Sequence, residues 1–307
     1  KKGYEVTLWG ADASYTDYLK EKRENVKYLK GIPIPPEIHI TSNISHKGMD
    51  VNIIVVATPT PYLRSVLMKF KQFLVQGTPI VSVTKGIEND TLMKPSEIIT
   101  SVLGNQPVSL LLGPSHAEEV ARGLPTTIVA SSKDIALART VQEIFTTDRF
   151  RVYTNPDMIG VELGAAMKNV IAIAAGICDG LKFGDNSKAA LITRGLAEIS
   201  RLGVVMGAQK NTFSGLTGLG DLITTCISPY GRNRWVGEQI GKGKKLQEVL
   251  EKMEQIAEGV WTTKSVTALS NKLNVEMPIT QEIYNVLFTN KDPLEAVSNL
   301  MMRTPRS

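Results

Sequence analysis

The chain has 307 residues, 42% of them hydrophobic and 21% charged, and 35 Lys and Arg against 30 Asp and Glu give a formal net charge of +5. That is a globular composition, long enough for two domains of about 150 residues each, and it excludes disordered and collagen-like classes. The basic excess is small and scattered and aromatics are only 6%, which argues against nucleic-acid binding and suits small anionic partners.

Tyr4–Trp9 reads as a strand, close behind the first residue, Lys1. Val51–Ala57 is a continuous, mostly β-branched run, the pattern of a strand buried on both faces. Pro79–Thr84, Val108–Leu112, Thr127–Ala130 and Phe150–Tyr153 read as further strands, with helical stretches such as Tyr62–Leu74 and Ser96–Leu103 between them. The alternation predicts a mostly parallel, doubly wound α/β domain of Rossmann type over residues 1–155. After Asn155-Pro156 the strand signals fade. Met158–Ile177, Leu191–Met206, Leu246–Gln255, Thr262–Asn274 and Thr280–Phe288 predict an all-α domain over residues 156–307. Met158–Ile177 has the length and apolarity of a membrane span, yet Glu162 and Lys168 inside it are costly in lipid. A buried central helix is expected instead, with no membrane insertion.

A doubly wound sheet binds ligands at the carboxyl ends of its strands, and a Gly-x-Gly-x-x-Gly loop should follow the first strand. That loop is absent. Gly215-Leu-Thr-Gly218-Leu-Gly220 has the reverse spacing and lies in the helical half. The expectation is a chain that begins late, short of one strand–loop–helix unit of roughly 20–30 residues. Without such a central strand, ladder groups stay unpaired. Cys178 and Cys226 lie in apolar surroundings, which fits buried thiols in a reducing compartment, the cytoplasm. His39, His46 and His116 show no metal-ligand spacing, so no metal site is expected.

Lys168 is the most informative residue. It is the only cation in a long, mainly apolar stretch, and its helical neighbours Gly164, Ala165, Ala172 and Ala175 are all small. It would stand over a slot with room for a ligand, and desolvation would lower its pKa toward general acid–base use. The alternative is a snorkelling lysine on a tightly packed helix. Lys85 follows a strand, where it meets an anionic substrate or is an ordinary turn residue. Gly113 and Ser115, also past a strand, offer backbone N–H groups and a hydroxyl, or form a simple turn. Asp221 follows a glycine-rich turn as a site carboxylate or as a helix N-cap. Gly231-Arg232-Asn233-Arg234 is an anion-binding loop or a solvated basic turn. Together these point to a phosphorylated or carboxylated small substrate.

The sequence resembles bacterial-type NAD(P)-dependent glycerol-3-phosphate dehydrogenases along nearly its whole length. The stretches that carry the resemblance are ENVKYLKGIPIPPEI (24–38), VSVTKGIE (81–88), GPSHAEEVARGLPT (113–126), the long run 149–203 around Met167-Lys168-Asn169, LTGLGDLITTC (216–226), GRNR (231–234) and AEGVWTT (257–263). The resemblance implies reversible reduction of dihydroxyacetone phosphate to sn-glycerol 3-phosphate by a nicotinamide hydride, a supply step for glycerophospholipids. It implies Lys168 as the catalytic proton donor and Lys85, Gly113, Ser115, Asp221, Gly231, Arg232 and Asn233 as substrate contacts. It implies Tyr28, Lys85, Ala117, Arg232, Ile256 and Glu258 as cofactor contacts, and a homodimer. Ala11 stands where a basic residue is common, followed by Asp12. An acid at this strand end favours the free 2′-hydroxyl of NAD, a weak lean. Ala165 stands where glycine is usual. Two other readings stay open: a different two-domain hydroxyacid-type dehydrogenase, and an inactive truncated remnant.

Overall fold

The computed structural model describes residues 2–45, 50–253 and 256–304; His46 and Gln255, named above, lie outside these. The chain opens with β1 (Thr7–Trp9), α1 (Ala13–Lys22) and β2 (His39–Thr41). β1 and β2 pair in parallel as a two-stranded sheet, separate from the main one. Next come β3 (Ile54–Val56), α2 (Thr60–Phe70), β4 (Ile80–Ser82), α3 (Pro95–Leu103), β5 (Val108–Leu112), α4 (Ala117–Ala121), β6 (Thr126–Ser132), α5 (Ile135–Phe145) and β7 (Phe150–Asn155). The main sheet runs in the order β3-β4-β5-β6-β7. Its pairs are parallel except β5 with β6, which is antiparallel.

From Met158 onward the chain is helical: α6 (Met158–Gly180), α7 (Asp185–Val205), α8 (Asp221–Ile227), α9 (Arg232–Gly241), α10 (Leu246–Glu251), α11 (Glu258–Lys272), α12 (Pro278–Phe288) and α13 (Pro293–Met301). The helix starts follow local chemistry. Asp134 and Asp292 cap α5 and α13 by accepting backbone N–H groups, and proline sits in the first turn of α2, α3, α12 and α13. Asp157 caps α6 through Gly160 N, and its second oxygen accepts from Gln209 N and Thr212 Oγ1.

α6 is the axis of the helical half. It is long and apolar enough to cross a membrane, but its apolar window is wholly buried inside the protein. α9 crosses it backbone to backbone. A Cβ on Gly176 would lie 1.8 Å from Arg234 O, and one on Gly237 would lie 1.9 Å from Ile173 O. Only hydrogen fits at either position. Cys178 and Cys226 are buried free thiols, and burial pushes Cys226 up to about 12.

Two expectations need correction. Val51–Ala57 is not a strand buried on both faces: only Ile54–Val56 is strand, and Val51 and Val55 are 38% and 46% exposed. The reason is position, because among the described residues β3 pairs with β4 alone and forms an edge. The residues 231–234 are also not a loop. Gly231 takes the cap position and Arg232 is already the first residue of α9.

Candidate functional site

Helices α6 and α8 and the carboxyl ends of β4 and β5 converge on one cluster. Lys168 lies in the middle of α6 and is 4% exposed. Its Nζ donates to Asp221 Oδ1 at 2.5 Å and to Thr225 Oγ1 at 2.7 Å. Asp221 begins α8 and is 1% exposed. Its other oxygen accepts from Lys85 Nζ at 3.0 Å. Lys85, just past β4, also donates to Gly113 O at 2.9 Å, and Ser115 Oγ donates to the same carbonyl at 3.1 Å. Gly113 has φ +147°, a conformation L side chains rarely adopt, and a Cβ there would lie 3.2 Å from Ile128 Cγ1.

One buried carboxylate therefore faces two ammonium groups. Burial pushes Lys168 down, Asp221 pulls it up and Lys85 pushes it down again. The outcome is a pKa of about 7 against an ordinary 10.5. A lysine so placed exchanges a proton near neutral pH, while Asp221 and Thr225 fix the direction of its Nζ.

A second group lines up beside the first. Arg232 is exposed and its Nη1 donates to Ile256 O at 3.2 Å. Asn233 Oδ1 accepts from Gly259 N at 2.9 Å. Glu258 begins α11 and accepts weakly from Thr60 N at 3.4 Å, while Thr60 Oγ1 donates to Lys85 O at 2.9 Å. Burial raises the Glu258 carboxyl, and Arg232 and the Thr60 N–H work against that rise. The β1 end is different. Ala11 and Asp12 are exposed, and Asp12 Oδ1 caps α1 by accepting from Ser14 Oγ and Tyr15 N at 2.8 and 3.1 Å. Tyr28 packs edge-on against Tyr15, ring centroids 5.8 Å apart. Ala117 is exposed at the start of α4.

The structure thus gathers Lys85, Gly113, Ser115, Lys168 and Asp221, and links Arg232 to Ile256 and Asn233 to Gly259. Asp221 is not an N-cap: Gly220 holds that place, and the carboxylate turns to the lysines. The small residues around Lys168 do not leave a slot. Ala165, Ala172 and Ala175 are fully buried, and a Cβ on Gly164 would lie 2.5 Å from Thr217 O. They admit neighbouring backbone instead. Thr225 escaped notice, although it lies four residues after Asp221, one turn along the same helix. Thr60 carries no local signal, because its partners Lys85 and Glu258 are distant in sequence.

The family models for the N-terminus and the C-terminus of NAD-dependent glycerol-3-phosphate dehydrogenase match residues 1–138 and 157–298. The chain belongs to that family. It is 51% identical to the glycerol-3-phosphate dehydrogenase [NAD(P)+] of Geobacillus kaustophilus, over 98% of this chain and 88% of that protein. It is 48% identical to the one of Chlorobium phaeobacteroides, over 99% and 92%. Among solved structures, glycerol-3-phosphate dehydrogenase from Coxiella burnetii superposes with a TM-score of 0.95 at 37% identity, covering 98% of this chain and 93% of that one. A D-mandelate dehydrogenase superposes at TM-score 0.61 with 14% identity, a likeness of fold alone, so the hydroxyacid alternative is not favoured.

As a member of this family the chain is an NAD(P)-dependent oxidoreductase. A doubly wound fold takes such a cofactor at the carboxyl edge of its sheet, the edge at which Lys85, Gly113 and Ser115 meet. Beyond the ends of β4 and β5, Gly86 (φ +129°) and Gly113 (φ +147°) hold backbone that favours glycine, and a Cβ on either would press on Thr60 or Ile128. Among the described residues no three His, Cys, Asp or Glu side chains gather as metal ligands.

Proposed function

We propose that the chain reduces dihydroxyacetone phosphate to sn-glycerol 3-phosphate, reversibly, with NADH or NADPH. The observation that carries this reading is the buried Lys168, held by Asp221 and Thr225 beside Lys85. A bound nicotinamide supplies the hydride, or accepts it in the reverse direction. Lys168 gives its proton to the carbonyl oxygen as the carbonyl carbon is reduced, and takes it back in the oxidation. Asp221 holds the ammonium in place and moderates the repulsion between Lys168 and Lys85. Lys85, Gly113 and Ser115 orient the substrate from the sheet side, and Gly231, Arg232 and Asn233 hold its phosphate from the helical side.

On this reading Ala11, Asp12, Tyr28, Lys85, Ala117, Arg232, Ile256 and Glu258 contact the cofactor. The lean to NAD rests on Asp12, whose Oδ1 already serves the helix cap. Residues 1–155 form the cofactor domain and 156–307 the catalytic domain, in a cytoplasmic homodimer feeding glycerophospholipid synthesis. The test is NADH consumption on adding dihydroxyacetone phosphate, with Lys168→Ala alongside. Turnover that is lost in the variant supports the reading. A folded wild-type chain that consumes neither NADH nor NADPH overturns it.

A further inference from the structure

The polar side chains of the central cluster all have partners, but a nitrogen beside them does not. His116 Nε2 is shielded from solvent and makes no hydrogen bond among the described residues. Buried polar atoms are almost always paired, so an orphan next to a reaction centre points to a partner that arrives with the ligand.

His116 stands between the Ser115 segment and the Tyr230 segment. On its own side it follows Ser115, whose Oγ shares the Gly113 carbonyl with Lys85 Nζ. On the other side its ring lies 6.2 Å from the ring of Tyr230, centroid to centroid. Tyr230 immediately precedes Gly231 and Arg232, and its hydroxyl accepts from Arg122 Nη1 at 3.1 Å. Burial, then Lys168 and Lys85, hold the imidazole pKa below its ordinary value, against Glu118 and Asp221. The ring is therefore neutral at pH 7, with one N–H and one bare nitrogen. It adds a hydrogen bond to the site without adding a further cation.

We propose that His116 is a further substrate-binding residue, its Nε2–H donating to a phosphate oxygen of the triose phosphate. This rests on the functional reading above. The phosphate end is favoured because His116 reaches across to the segment that leads into Arg232 and Asn233, whereas Lys168 is committed to the carbonyl end.

Calorimetric titration with sn-glycerol 3-phosphate, on wild type, His116→Phe and His116→Gln, tests it. Phe keeps a flat ring against Tyr230 and removes the donor; Gln keeps a donor. Binding is expected to weaken about tenfold in His116→Phe and to stay within about threefold in His116→Gln, with NADH affinity unchanged. In wild type the Nε2 resonance is expected to move on adding glycerol 3-phosphate and not on adding glycerol, a readout that needs no variant. If wild type binds glycerol 3-phosphate while His116→Phe binds it equally well, the proposal fails alone. Equal losses in both variants, lost NADH affinity in place of substrate affinity, or an unmoved Nε2 signal overturn it too. If wild type binds no glycerol 3-phosphate, the functional reading fails and takes this proposal with it.

Discussion

Two regions of the candidate site are built on opposite principles. At the Lys168 end the polar groups are buried, paired and held by elements far apart in sequence, from β4 to α8. At the β1 end Ala11, Asp12 and Tyr28 are exposed, and Asp12 and Tyr28 are bonded locally, Asp12 to its own helix cap and Tyr28 to Asn25. The difference teaches where preorganisation is needed. A proton must be delivered to one atom, and that requires a fixed, dry donor. The cofactor contacts proposed for the exposed end need only a surface of the right shape.

The largest effect expected from disturbing the buried end is on turnover. Lys168→Ala should lower kcat about 10³-fold, since it removes the proton donor, with NADH affinity near wild type by fluorescence titration. Retained turnover would break the contrast outright. Asp221→Asn takes from two lysines the carboxylate that favours their charge. It should lower stability by about 2 kcal/mol in denaturant titration, because Lys168 must then give up its proton to stay buried and both ammonium groups lose their acceptor.

Glu162 sharpens the comparison from within the buried half. Its oxygens accept from Ser96 N and Ser96 Oγ, and burial raises its carboxyl to about 7. A carboxyl whose folded pKa exceeds its unfolded one holds an extra proton in the native state. Its contribution to stability is therefore greatest at low pH and is lost as pH rises through about 7. Between pH 5 and 8 the loss should be about 2 kcal/mol, and Glu162→Gln should remove that slope. The kinetic counterpart is Lys168. It must carry its proton in the reduction, so kcat/KM for dihydroxyacetone phosphate should fall as pH rises above about 7, while the oxidation gains. A flat profile across pH 6 to about 9 contradicts that assignment. The smallest effect belongs to the exposed end: Asp12→Ala should change the NADH-to-NADPH preference by no more than about threefold.

Much of this was legible in the chain. The strands Val108–Leu112 and Phe150–Tyr153 and the helix from Met158 announce themselves by composition over a single segment. Lys168 is visible because a cation is conspicuous among apolar residues. Asp221 was visible as a carboxylate, but which of its two roles it plays depends on α6 and β4 meeting above it. Thr60, the link from Lys85 to Glu258, is invisible for the same reason. The three-residue strands β1 and β2 pair by register across α1 and the segment after it, which no local pattern encodes. The small residues around Lys168 misled because smallness admits either a ligand or a neighbouring backbone, and here the backbone of Thr217 occupies the space.

The glycine crossing of α6 and α9 has a mechanical consequence. Gly176 lies eight residues beyond Lys168 on the same rod, about 12 Å at the rise of an α-helix. The crossing is a fulcrum and the ammonium sits at the end of the lever. A methyl group at Gly176 or Gly237 that tilts the rod by about 3° would carry Nζ roughly 0.6 Å off its line, beyond the tolerance within which a catalytic group works. Two missing side chains, remote from the cluster, thus set the aim of the proposed proton donor.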